Sequence, residues 1–81
     1  MAFVYLLRCR DASIYCGWTL DVEARLAAHR AGRGARYTRS RLPVELVAVI
    51  ELADESSARR EEARIKRLSR ADKLALIAAL G

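Results

Sequence analysis

The chain contains no asparagine, one histidine (His29), one proline (Pro43) and two cysteines, Cys9 and Cys16. Two cysteines are too few for a disulfide framework or for a four-ligand zinc site. They flank an expected hairpin turn, where they could lie across from each other. They read as reduced, half-buried thiols of a cytoplasmic protein. No apolar run approaches the ~18–20 residues of a membrane helix, so no membrane partner is expected. Met1 leads straight into a β-forming run with no basic stretch before it, so no secretory leader is expected. Internal repeats, linkers and low-complexity tracts are absent.

What remains is a globular composition. With 53% hydrophobic and 31% charged residues the chain is not of the disordered class. Its 81 residues are expected to form one domain, 1–81. So small a core must use most of its apolar residues. The net charge of +5 is a weak pointer to nucleic acid by itself. Its distribution says more. Ala24 to Val44 holds six arginines (Arg25, Arg30, Arg33, Arg36, Arg39 and Arg41) and no acid. A guanidinium fork binds phosphate oxygens in pairs, so this stretch reads as a phosphate-facing surface. A solvated basic loop is the plainer alternative.

Ala2 to Cys9 reads as a strand with apolar residues at both parities, hence a central one. Asp11, Ala12 and Ser13 supply a turn, and Ile14 to Trp18 returns as the second strand. Asp21 is a good N-cap for a helix running to about Ala31, with Val22, Leu26 and Ala27 as its apolar stripe and Gly32 and Gly34 ending it. An Arg/Gly-rich loop follows, from about Arg33 to Pro43. A third strand spans Glu45 to Leu52. Ser56 or Ser57 is expected to cap a second helix ending near Leu68. Ser69 with Asp72 forms a capping-box pattern for a third, Arg70 to Leu80, whose apolar face is Leu74, Ile77 and Leu80. The expected fold is α+β: a three-stranded antiparallel sheet flanked by about three helices, in the order β-β-α-β-α-α.

Several side chains could do chemistry, and each has a plainer reading. Tyr5 and Tyr15 fall on paired strands, where phenols are usually core residues. Arg25 and His29 share a helix face, which most simply is a solvated one. Ala58, Glu62 and Ile65 follow 4–3 spacing, which puts Glu62 on an inward stripe and leaves Glu61 more to solvent. A carboxylate there needs a metal or an ion-pair partner.

Taken together in order, these residues resemble the GIY-YIG nuclease family. Phe3-Val4-Tyr5 and Tyr15-Cys16-Gly17 are similar to its two tripeptides. Thr19, Asp21, Arg25 and His29 follow with the family's spacing, then Tyr37-Thr38, Pro43 and a strand. Ala58, Glu62, Ile65 and Lys66 resemble its metal-site helix. The resemblance spans nearly the whole chain and is greatest to small bacterial members made of this domain alone. It implies a metal-dependent endonuclease that hydrolyses phosphodiester bonds in DNA, structure-selective or nonspecific, with no organic cofactor. Tyr5 and Tyr15 would be paired site phenols, one ordering or activating water. Arg25 would bind the scissile phosphate, His29 would assist proton transfer, and Glu62 would hold one Mg²⁺ or Mn²⁺ ion. Arg30, Arg33, Arg36, Arg39, Arg41 and Lys66 would meet the nucleic-acid backbone. A free phenol has a pKa of ~10, so a base at neutral pH needs help from Arg25 or the metal.

The chain departs from the family pattern in four places. Phe3 replaces a glycine and Cys16 an isoleucine. Trp18 stands where some members carry lysine. Many members also place an asparagine one helix beyond the metal glutamate; Lys73 or Leu74 lies there instead. The last two changes bear on catalytic efficiency, and the missing asparagine, with no extra DNA-binding element in the sequence, motivates a second reading, a catalytically weak nucleic-acid-binding module. A protein–protein adaptor using the C-terminal helices is a third.

Overall fold

The first apolar run becomes the centre of the sheet, as its two-sided hydrophobicity requires. In the computed structural model, which describes residues 1–80, β1 (Ala2–Arg8) pairs antiparallel with β2 (Ile14–Thr19) on one side and β3 (Glu45–Leu52) on the other. The helices are α1 (Val22–Arg30), α2 (Arg36–Arg39), α3 (Glu55–Lys66) and α4 (Arg70–Leu80). The expected order holds, and the single-turn helix α2 is added inside the segment read as a loop.

Alternation along β1 sends side chains to two different cores. Val4 and Leu6, with Ile14 and Cys16 of β2, meet Ala58 and Ile65 of α3; Leu74, Leu76 and Ile77 of α4 pack against them. Tyr5, Leu7 and Cys9 face the other way, toward Val44, Leu26 of α1 and Leu42. The sheet is thus covered on both faces. A register shift between Leu6, opposite Ala48, and Leu7, opposite Leu46, leaves Val47 as an extra residue on β3. This bulge lets Val47 and Ala48 serve the α3 face while Leu46 serves the α1 face.

Local signals explain most element ends. The Asp21 carboxylate accepts from Ala24 N–H at 3.1 Å and opens α1. That helix closes at Gly32, whose φ of +80° suits a residue without Cβ. Gly32 N–H donates to His29 C=O and Arg33 N–H to Ala28 C=O, a Schellman ending. Ser69 Oγ accepts from Asp72 N–H and starts α4.

Four expectations need correction. The cap of α3 is Asp54, which accepts from Ser57 N–H at 2.7 Å, so neither Ser56 nor Ser57 caps it. Aspartate is as good a cap as serine, and it comes first in the chain. Leu80 is exposed, and Leu76 joins Leu74 and Ile77 on the inner side of α4. On α1, Ala27 is exposed, and the buried position is His29. Cys9 and Cys16 are free and buried but not opposed: they belong to the two different cores, and Cys16 faces Leu6.

The hairpin turn is tied down from outside. Asp11 accepts from Ser13 N–H and Oγ–H, and Ala12 sits at φ 68°. Arg41 reaches the Asp11 carboxylate at 2.9 Å, and Arg70 of α4 donates to Ala12 C=O at 3.1 Å. One turn therefore joins the Arg-rich segment to the last helix.

Candidate active site

Tyr5 occupies the α1 face of β1, opposite Gly17 of β2. Its ring lies over that glycine. A Cβ on Gly17 would fall 2.6 Å from Tyr5 Cζ and closer still to the hydroxyl. The glycine of the second tripeptide is thus the floor on which the first tripeptide's phenol rests. Gly17→Ala is expected to lower stability by about 1–3 kcal/mol in a denaturant titration. A cost below ~0.5 kcal/mol would show that the ring is not seated there.

His29 is fully buried, not on a solvated face. The Tyr5 hydroxyl lies 2.8 Å from its Nε2, and Thr38 Oγ1 lies 2.7 Å from its Nδ1. Thr38 Oγ1 gives its own proton to Ala35 C=O at 3.2 Å, so it must accept from His29. With the Thr38 hydroxyl turned to Ala35, Nδ1 carries the proton and Nε2 accepts from Tyr5. The Tyr5 oxygen in turn accepts from Arg25 Nε–H at 3.3 Å. The chain of donors runs from Arg25 through Tyr5 and His29 to Thr38. Arg25 is held in place by a second bond, from Nη2 to Gly34 C=O at 2.7 Å. Gly34 also lets the backbone pass beneath the imidazole, since a Cβ there would meet Cε1 at 2.7 Å and Nδ1 and Cγ more closely.

These contacts set the ionisation. Burial lowers the His29 pKa, and the Arg25 cation lowers it further. The histidine is therefore a neutral acceptor at pH 7. Burial raises the Tyr5 phenol; the Arg25 hydrogen bond and charge oppose this, while Tyr15 and Glu62 add to it. The Cys16 thiol is pushed up to about 11 by burial and then by Glu62. It stays protonated at neutral pH and is not a nucleophile.

Tyr15, on the same sheet face as Tyr5, packs edge-on to His29 with centroids 5.3 Å apart and lies 6.4 Å from the Tyr5 ring. It is more exposed than Tyr5. Tyr37 of α2 stacks on its outer side at 5.9 Å. At this sheet edge the two layers meet, for Lys66 of α3 places Nζ 5.9 Å from the Tyr15 ring centre. Lys66 also lies 3.7 Å from the Glu62 carboxylate. The Glu62 side chain is 21% exposed, between the fully buried Ala58 and Ile65. Glu61 is hardly more open, at 24%, because Arg64 folds over it. Among the described residues no three His, Cys, Asp or Glu side chains converge.

The arginines of the basic stretch divide into two kinds. Arg30, Arg33, Arg36 and Arg39 are exposed and form no ion pair among the described residues. Arg41 is engaged: it pairs with Asp11, donates to Tyr37 C=O and lies 3.9 Å over the Tyr37 ring. The sequence offers Gly34 only as a helix-ending glycine and Tyr37-Thr38 only as part of the family pattern; the fold brings all three into the surroundings of His29, Arg25 and Tyr15. The signal for the first two was available: a small hydroxyl residue and a second glycine within an arginine-rich segment that otherwise lacks pattern.

Comparison with known proteins shows the family and the fold. A family model described as the GIY-YIG catalytic domain matches residues 1–75. A UPF0213 protein of Oceanobacillus iheyensis is 51% identical over 75 residues, covering 93% of this chain and 87% of that one. A UPF0213 protein of Natronomonas pharaonis is 50% identical over 76 residues, covering 94% and 89%. The solution NMR structure of a UPF0213 protein from Bacillus halodurans superposes with a TM-score of 0.65 at 43% identity, covering 100% of this chain and 87% of its own. With the family's model matched over so much of its length, the chain belongs to the GIY-YIG catalytic-domain family.

Proposed function

We propose that residues 1–81 form one nuclease domain, a divalent-metal-dependent endonuclease that hydrolyses phosphodiester bonds in DNA. The observation that supports this most is the directed chain Arg25–Tyr5–His29–Thr38. Core packing alone does not call for a fully buried, neutral imidazole that accepts from a phenol which is itself held by an arginine. Such an arrangement suits proton transfer beside an anion. The attacking water gives its proton to the Tyr5 oxygen as the Tyr5 proton passes to His29 Nε2. Arg25 stabilises the phenolate character that develops at Tyr5 and the charge on the phosphoryl oxygens. Tyr15, the more open phenol, orders the water from the other side.

Glu62 fits a hard cation held by one carboxylate, with water and phosphate oxygens completing the sphere, as Mg²⁺ or Mn²⁺ prefers. Its pair with Lys66 is no obstacle, since a half-exposed i,i+4 pair is worth only about 0.3–0.5 kcal/mol. A bound ion would neutralise phosphoryl charge and stabilise the leaving oxygen. The exposed Arg30, Arg33, Arg36 and Arg39 meet the nucleic-acid backbone and give salt-sensitive, mostly sequence-independent binding. The protein works in the cytoplasm, where its two buried thiols stay reduced.

Cleavage of branched, nicked and linear DNA with Mg²⁺ or Mn²⁺ tests the proposal. Glu62→Ala is expected to lose about 10²-fold or more in rate. Equal rates for wild type and variant would remove Glu62 from the centre. Binding without metal-dependent turnover on any substrate would instead mark a nucleic-acid-binding module of the same fold.

A further inference from the structure

A cavity of about 180 Å³ opens beside the candidate centre, between the hairpin (Ser13, Ile14), α2 (Tyr37) and the first turn of α4 (Arg70, Lys73). Two cations, a phenol and a hydroxyl line it, and no acid does. Arg70 is fixed in the wall by its bond to Ala12 C=O. Lys73 is half-buried and pairs with no carboxylate among the described residues. An ammonium sheltered in this way, with no counter-ion, is suited to receive an anion. The cavity adjoins the centre directly: its Tyr37 wall is the ring that stacks on Tyr15 at 5.9 Å.

We propose that this cavity is a second phosphate subsite, in which Lys73 and Arg70 hold the backbone phosphate next to the cleaved bond and Tyr37 forms the wall between the two. The inference rests on the nuclease reading and adds to it a substrate-positioning role for Lys73. The subsite fixes which bond of the strand is presented to Tyr5 and Arg25. It would do so from the helix beyond Glu62, where this chain has Lys73.

Fluorescence anisotropy with a dye-labelled DNA duplex, in EDTA so that nothing is cut, tests this with wild type, Lys73→Met and Lys73→Arg. Lys73→Met is expected to bind about tenfold more weakly at 0.1 M salt, with the slope of log K against log salt reduced by about one. Lys73→Arg should restore both. An unchanged salt slope in a folded Lys73→Met protein, or a loss that Lys73→Arg does not restore, would overturn the subsite alone. If wild type neither binds DNA nor cleaves it with Mg²⁺ or Mn²⁺, the nuclease reading fails and the subsite falls with it.

Discussion

Arg25→Ala is expected to cost about 10²–10³ in the rate of DNA cleavage, the usual loss when one preorganised donor is removed from a developing charge. Arg25 does two things that no neighbour duplicates. Its Nε bonds the Tyr5 hydroxyl and its Nη2 bonds Gly34 C=O, so the guanidinium plane is fixed from two sides. Nη1 has no protein partner among the described residues and is free for a phosphoryl oxygen. Lysine offers one charge without the planar fork, so Arg25→Lys should recover only a small part of the loss. The same substitution has a second signature. Arg25 lowers both the His29 pKa and the Tyr5 pKa, so its removal lets both rise. The acid limb of the pH–rate profile should therefore move to higher pH in Arg25→Ala. A full-rate variant, or an unmoved limb in a slow one, would separate Arg25 from the Tyr5–His29 pair.

Acid should weaken the fold through His29, in a window set by the direction of its shift. The histidine titrates below its ordinary 6.5 when folded, because it is buried and faces Arg25. As pH falls below that value the unfolded chain takes up the proton first. The stability linked to His29 is thus fully present above pH 6.5 and is lost as pH falls toward the folded pKa. The slope within that window is at most about 1.4 kcal/mol per pH unit. Asp11, Asp54 and Glu61 also have lowered pKa values, but as carboxylates they act below about pH 4.5, outside this window. Melting temperatures between pH 8 and 5 should show the fall for wild type and a nearly flat line for His29→Gln. The variant should also lose about 10²–10⁴ in rate, the contribution of a positioned general base. A flat wild-type line would mean that His29 is not held neutral in the fold.

Why was much of this fold legible? Its elements are announced by local chemistry: a two-sided apolar strand, Asp21 before α1, Ser69 before α4. Local chemistry was also enough for the pairing of Tyr5 with the Tyr15–Gly17 strand. It failed where tertiary partners decide. The turn Arg36–Arg39 has no periodicity of its own; it is held by Thr38 bonding His29 and by Arg41 clamping Asp11. His29 looked solvated because its helix neighbours are charged, yet its partners come from 24 and 9 residues away. Helical spacing puts Glu62 between Ala58 and Ile65, but the cover on Glu61 depends on the Arg64 rotamer, which spacing does not reveal. Arg41 belonged to an arginine run whose members looked alike. Its contacts with Asp11 and with Tyr37 distinguish it from the four that stay exposed.

Titration of Mn²⁺ into ¹⁵N-labelled protein, followed by paramagnetic broadening of its NMR signals, asks directly whether residues from position 5 to 62 form one metal-dependent centre. Broadening should begin at the amides around Glu62, Tyr5 and Tyr15, and it should vanish in Glu62→Ala. Broadening spread evenly over exposed carboxylates such as Asp11, Glu45 and Asp54, and unchanged by Glu62→Ala, would contradict a single centre built on that carboxylate.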